Sequence, residues 1–398
     1  MKNIIVLAAL SLSYLTLKAQ VESDSAELNP NVQVSLIYPI GSGGADAAYQ
    51  TYDVSVNIFA GLTGGVDGVE FSGFAGFTKG AVTGAQVSGF VNVVADTFKG
   101  LQIAGFSNVV RKDFEGLQVG GFTNTSLKNH DGAQIAGFAN YTGSSLQGAQ
   151  VGGFVNTAIG SVEGFQGAGF VNYSMGLAGA QVAGFVNTNI GEMKGNQIAG
   201  FVNVSTGVSE GLQVSGFVNF ARKLKGAQLG FINVADSLDG VAVGFFSYAK
   251  NGYHQFEVSA NETFQTNLSF KTGTNMFYNV FSVAAHWNQN DPVWAFGYGI
   301  GTRKEFGNQF SMNAELNSYA VLPDNFEENE WESLNKLKLS FAKGLGSHVE
   351  LFAGVSFNMW VSQREEPMHD YLYSTKYRGG NGDVNWIMYP GFHAGIRI

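Results

Sequence analysis

The chain of 398 residues has no cysteine, so disulfides, thiolate metal sites, a cysteine nucleophile and an acylated N-terminal cysteine are all excluded. Charge is thin: 13% of residues are Asp, Glu, Lys or Arg, the formal net charge is −9, and no basic run offers a surface for phosphates. Nucleic acid is therefore not an expected partner. Long apolar runs are missing after the first residues. The early run, from Ile4 to Leu17, falls short of the roughly 20 residues a helix needs to cross a bilayer. With Lys2 before it and Ala19 after it, it reads as an export signal over residues 1–19, which would leave Gln20 as the first mature residue. Any membrane crossing must then be made by strands. Proline is scarce (6 residues) while glycine is abundant (54), without the period of collagen, so the glycines have to be read by position.

Their positions reveal a repeat. The same glutamine recurs at Gln86, Gln102, Gln118, Gln134, Gln150 and Gln166, then at Gln181, Gln197, Gln213 and Gln228. Each unit reads Gly, any residue, Gln, an aliphatic, a small residue, Gly, Phe, any residue, Asn, as in GAQVSGFVN (84–92). Phe90, Phe106 and Phe122 and Asn92, Asn108 and Asn124 are the matching rows. A fixed period of about sixteen residues means one unit stacked on itself. Helix is disfavoured, because two or three glycines per unit would each cost about 1 kcal/mol in a helix interior.

The chain is therefore expected to be all-β, and two arrangements of the repeat compete. In a β-solenoid each unit is a coil, with Gln over Gln, Phe over Phe and Asn over Asn. In a membrane barrel each unit is a strand, and antiparallel pairing sets Gln86 opposite Asn108. Two features favour the solenoid. The contracted unit GAQLGFINV (226–234) drops a residue, which would flip every later side chain of a continuous strand but is harmless at a corner. A strand carrying Val87, Gly89 and Val91 outward would also present glycine to lipid. One feature favours the barrel: no Asp, Glu, Lys or Arg falls in eleven successive strand stretches, from 85–93 to 241–248.

The solenoid is the preferred reading. In it, Phe and the aliphatics are expected in the core, and the Gln and Asn rows are expected as amide ladders rather than as a ligand strip. A further apolar row, two places before the opening glycine (Phe98, Phe114, Leu146, Val162, Leu177, Met193, Leu224, Leu238), suits a third, short side pointing inward.

After Lys250 the texture changes to longer alternating stretches. In LNKLKLSF (334–341), Leu337, Leu339 and Phe341 oppose Lys336, Lys338 and Ser340, a period of two that marks a strand. About eight such stretches, near 255–262, 265–274, 277–287, 293–306, 309–320, 334–345, 348–362 and 387–398, predict an antiparallel outer-membrane-type barrel of the smallest usual size. The division expected is signal 1–19, N-terminal strands 20–63 with completion of the barrel sheet as one option for them, a repeat array over 64–249 and the barrel over 250–398.

The Gly-x-Gln…Gly-Phe-x-Asn units followed by GFFSYAKNGYHQFEVSANETF (244–264) resemble the surface-repeat proteins of Gram-negative bacteria, notably Bacteroidota and spirochaetes. The resemblance covers most of the mature chain. It implies a surface location and no established activity. Some members of that family are lipoproteins, but the missing cysteine means that no lipid anchor is carried over.

No enzyme is expected. The six histidines are scattered, FGYGIGT (296–302) alternates its glycines within a strand rather than cradling a phosphate, and the acidic run Asp324, Glu327, Glu328, Glu330 and Glu332 lacks calcium-loop spacing. A weaker enzymatic reading places chemistry at His369 and Asp370. No cofactor or metal is implied. The expected role is a non-enzymatic protein of the bacterial outer membrane or cell surface, with outer-membrane lipid and an unidentified surface or envelope ligand as partners. The alternative is a pore or transport barrel of about twenty-two strands, with the repeats as strands.

Overall fold

The computed structural model describes residues 31–287, 292–307, 309–322, 331–346, 349–363, 374–378 and 384–398. The expected export signal, His369 and Asp370, and the acidic residues Asp324, Glu327, Glu328 and Glu330 lie outside them. The described chain is nearly all β: a solenoid of about twelve turns followed by a closed antiparallel barrel of eight strands.

One coil shows why the repeat folds as it does. In residues 98–113 the strand Phe98–Ala104 is followed by a corner at Gly105 and Phe106, the strand Ser107–Val110 and a second corner. Phe98, Gln102, Ala104, Asn108 and Val110 are buried, while Lys99 and Phe106 are exposed. Gly100, at φ 127°, turns the chain inside the first strand, a conformation that only glycine adopts cheaply. A Cβ there would also run into the carbonyl oxygen of Gly84 one coil earlier. Glycine thus stacks on glycine because the coils approach at backbone distance.

The coils pair in parallel and in register. Gln86 lies beside Gln102, and Gln102 beside Gln118. This excludes the twenty-two-strand barrel, which required Gln86 beside Asn108. The contracted unit is absorbed at its corner, because Val214 pairs with Leu229 and Val218 with Ile232 on either side of the missing residue.

The N-terminal strands are a correction. Val32–Ile37 pairs in parallel with Thr51–Thr63, which pairs with both Gly65–Ser72 and Ala75–Thr78. They therefore extend the solenoid rather than complete the barrel. The physical reason is that Thr51–Thr63 supplies both sides of a coil and puts Asn57 into the polar interior, where it donates to Glu70.

The barrel strands are Tyr253–Asn261, Thr266–Gly273, Tyr278–His286, Val293–Phe306, Phe310–Val321, Glu332–Leu345, Val349–Ser362 and Asn385–Arg397. Each pairs with the next in antiparallel fashion, and Tyr253–Asn261 closes on Asn385–Arg397 through Glu257 beside Arg397 and Asn261 beside His393. All eight lie within two or three residues of the stretches read from the alternation. A short strand, Thr375–Arg378, adds to the upper part of the last one.

The solenoid joins the barrel at its lower flank, the side of the tight turns. Side chains alternate in these strands, so with Lys271 and Val280 turned inward, Thr272 and Asn279 point out of the wall. Both are covered by the last coil: Thr272 Oγ1 donates to the Ser247 carbonyl at 2.9 Å, and Asn279 Nδ2 to the Gly244 carbonyl at 2.7 Å.

Candidate functional site

Gln86, Gln102, Gln118, Gln134, Gln150 and Gln166 are fully buried and form one hydrogen-bonded row. From Gln102 onward each Nε2 donates to the Oε1 of the glutamine one coil before, at 2.7–2.9 Å. Asn92, Asn108 and Asn124 form a second row that runs the other way, each Nδ2 donating to the Oδ1 one coil after, at 2.9–3.0 Å. Their second N–H groups reach backbone carbonyls, such as those of Ile103, Val119 and Ile135, which fixes the orientation of every amide. The two rows carry opposed dipoles along one axis, so their fields cancel over the length of the solenoid. Unpartnered atoms occur where a row stops: Gln228 Oε1 faces Ala242, and Asn92 Oδ1 faces Gly76.

Glu70 begins the glutamine row as its acceptor, taking a hydrogen bond from Gln86 Nε2 at 2.7 Å and others from Thr78 and Asn57. Burial raises its carboxyl to about 7, against the pull of those hydrogen bonds. His130 occupies the apolar row, stacked on Phe114 at 4.5 Å. Burial lowers its imidazole to about 4, so it stays neutral and behaves as one more flat ring.

The phenylalanine row departs from expectation. Phe90, Phe106 and Phe122 are about 40% exposed, not in the core. Stepping in twos from Gln102 passes through Ala104, Phe106 and Asn108, so strict alternation would turn Phe106 inward. The corner at Gly105 and Phe106 breaks that alternation and swings the ring out. Thirteen rings from Phe59 to Phe245 stack face to face, 4.7–5.9 Å apart and tilted by at most 13°. The aliphatics flanking the glutamines also face outward, with Ile135, Val151 and Ile198 at 44–46% exposure. The inward apolar row is the one placed two residues before the opening glycine: Phe98, Phe114, Leu146, Val162, Leu177, Met193, Leu224 and Leu238 are all buried.

The barrel interior is ionic. Lys271 Nζ lies 2.5 Å from both Glu257 and Glu315, Lys338 completes the square around the same carboxylates at 3.4–3.5 Å, and Arg397 Nε reaches Glu257 at 2.8 Å. Below them Arg303 pairs with Glu350, and above them Lys336 pairs with Glu262. The long-loop end is filled by Trp360, Tyr319, Tyr389 and Phe264. The three glycines of FGYGIGT face inward and leave room for this filling, since a Cβ on Gly297 would meet the Tyr319 ring and one on Gly301 the Tyr278 ring. Desolvating an ion costs several kcal/mol, so such charges persist only when each has partners on several sides.

The barrel's outer wall is the reverse. Leu337, Leu339 and Phe341 are 56, 37 and 59% exposed while Lys336, Lys338 and Ser340 on the same strand are buried. Trp287, Trp294, Trp331 and Trp386 are exposed at the long-loop end. The wall is thus a belt of apolar side chains rimmed by tryptophan.

Among the described residues no group of three or more His, Asp or Glu side chains is placed to hold a metal. Glu332, from the acidic run, instead accepts a hydrogen bond from Ser362. Comparison with models of known protein families, with curated proteins and with solved structures gives no match.

The sequence marked the ladder residues but not the barrel's ionic cluster. Its members are scattered from Glu257 to Arg397. The signal available was charge alternating with apolar residues, as where Lys336 and Lys338 alternate with Leu337 and Leu339 and Glu257 stands between Phe256 and Val258.

Proposed function

We propose that this chain is a non-enzymatic protein of the bacterial outer membrane, anchored by its eight-stranded barrel and acting through its solenoid as a structural or binding element of the envelope. The observation that carries this reading is the inverted partition of the barrel. Charged Lys271, Glu257, Glu315, Lys338 and Arg397 are inside, and Phe256, Phe296, Leu316, Leu337, Phe341 and Phe357 are 53–65% exposed outside. In water that wall would be a severe aggregation liability. In a bilayer it is the solvated face.

The test is extraction and refolding. The full chain is expected to need detergent for solubility and, once refolded into phospholipid vesicles, to shield its barrel strands from protease. A chain that stays monodisperse in buffer without detergent would overturn the anchor.

Transport is the second reading. The eight-stranded lumen is filled by the ion pairs and by Trp360, and this weighs against a standing pore. Planar bilayers are expected to show no unitary conductance.

A further inference from the structure

Charge on the solenoid is confined to one sector. The outward residue before the opening glycine is Asp67, Lys99, Glu115, Asp131, Glu163, Lys194, Glu210, Lys225 or Asp239 in nine of the coils. All are exposed, and neighbours are opposite in sign where Lys99 meets Glu115 at 2.9 Å. The other two sides carry no charged residue from 85 to 93, nor in any equivalent stretch to 248. These sides meet at the phenylalanine ridge. With its thirteen rings 37–52% exposed, the ridge presents on the order of 1,000 Å² at roughly 200 Å² per aromatic side chain, more than the few hundred Å² usual for an apolar patch on a soluble monomer. It runs about 55–60 Å at the spacing of paired strands.

The ridge also has a defined end. Phe245 stacks on Tyr298 at 4.8 Å and meets Phe281 edge-on at 5.7 Å, and both are outward-facing residues of the barrel wall. Polar Thr272 and Asn279, which would otherwise face lipid at this height, are covered by the same coil. The outer wall of the barrel therefore meets the phenylalanine ridge of the solenoid directly at Phe245, Tyr298 and Phe281.

We infer that the solenoid lies along the membrane surface, its phenylalanine ridge seated in the lipid leaflet on the tight-turn side of the barrel and its charged side facing water. This inference rests on the membrane-anchor reading. The occupant is lipid, because the ridge is contiguous with the lipid-facing wall and because an uncharged apolar sector opposite a charged one is how an interfacial element divides lipid from water. It makes the repeat array a membrane-lining element whose free surface is the charged side, so a soluble envelope partner would meet Lys99, Glu115 and Lys194 rather than the phenylalanines.

Because the chain lacks cysteine, single cysteines can carry a nitroxide spin label in the otherwise native protein in phosphatidylcholine vesicles. Labels at Phe154→Cys and Ile198→Cys report the ridge and its flank, Lys194→Cys the charged side and Val258→Cys the barrel wall. Circular dichroism checks that each variant keeps its β-structure. The expected result is oxygen broadening with loss of nickel-complex broadening at 154, 198 and 258, and strong nickel broadening at 194.

If 258 is shielded while 154 and 198 are as nickel-accessible as 194, the ridge faces water and the inference fails while the anchor survives. If 258 is itself nickel-accessible, the anchor reading fails, and the inference with it. If 154 is shielded but shows spin–spin broadening that disappears on dilution with unlabelled protein, a second copy covers the ridge and the lipid assignment is overturned.

Discussion

In the solenoid, Gln150 gives a hydrogen bond to Gln134 and receives one from Gln166, each sixteen residues away. In the barrel, Lys271 meets Glu257 and Glu315, 14 and 44 residues away, and Arg397 reaches Glu257 across 140. Both interiors bury polar side chains and both exteriors carry an apolar face, yet one holds neutral amides that repeat and the other ions that do not. A neutral amide costs little to desolvate once its donors and acceptors are matched, so a single unit can be copied coil after coil. A buried ion requires partners from several directions, which a closed barrel supplies by bringing distant strands around one axis. The solenoid is thus a sum of near-equal steps, and the barrel is a single closure.

The largest effect should come from removing whole units. Excising residues 134–149 brings Gln150 into the place of Gln134 and is expected to leave a folded protein with a solenoid one coil shorter, as for any quasi-one-dimensional array. Excising Thr266–His286 removes two strands and Lys271, and the barrel is expected not to close. Refolding into vesicles followed by protease treatment separates the outcomes. A coil excision that also abolishes folding would break the contrast.

Next in size is Lys271→Ala, which leaves Glu257 and Glu315 facing each other with one cation fewer. Stripping one partner from a buried ionic cluster costs about 3–5 kcal/mol, read as a shift in denaturant unfolding of the refolded protein. Restoring the balance with Lys271→Met and Glu315→Gln together should recover most of the loss.

Glu70 offers a pH test in the solenoid. Its folded carboxyl stands at about 7 against an ordinary 4.5, so the folded state holds the proton more tightly. Its stabilising contribution is complete below about 4.5 and is lost as pH rises through about 7. At 1.36 kcal/mol per unit the loss is on the order of 3 kcal/mol. Glu70→Gln is expected to flatten stability over that window, measured by thermal unfolding from pH 4 to 8. An unchanged profile would show that the row does not end on a titrating acceptor.

The smallest effect is Gly148→Ala. Gly148 sits at φ 125° against the Gly132 carbonyl, and forcing alanine there should cost about 1–3 kcal/mol in thermal unfolding. Gly346→Ala, at φ 80° with open space around it, meets the milder strain near the left-handed region and no clash, so it should cost less than Gly148→Ala.

Much of the fold was legible because each unit states its own contacts. The spacing of Gln86, Gln102 and Gln118 gave the coil, the contraction at 226–234 gave the corner, and the alternation of Leu337 with Lys338 gave a barrel strand. The phenylalanine row was misplaced because alternation holds only within a strand, and Phe106 stands on the corner between two. Residues 32–63 were misassigned because Thr51–Thr63 resembles a barrel strand in composition, and only its parallel pairing with Gly65–Ser72 and Ala75–Thr78 marks it as a coil.

The sequence by itself determined what is local or periodic: the all-β class, the coil period, the inward Gln, Asn and apolar rows, and the positions of eight alternating strands. Tertiary structure alone decided what depends on rotation and closure. A corner has no periodic signature, so the outward phenylalanine ridge emerged only once the coils were built. Partners separated by up to 140 residues have no sequence relation to each other, so the ionic core of the barrel and the seat of Phe245 on Tyr298 exist only after the sheet has closed.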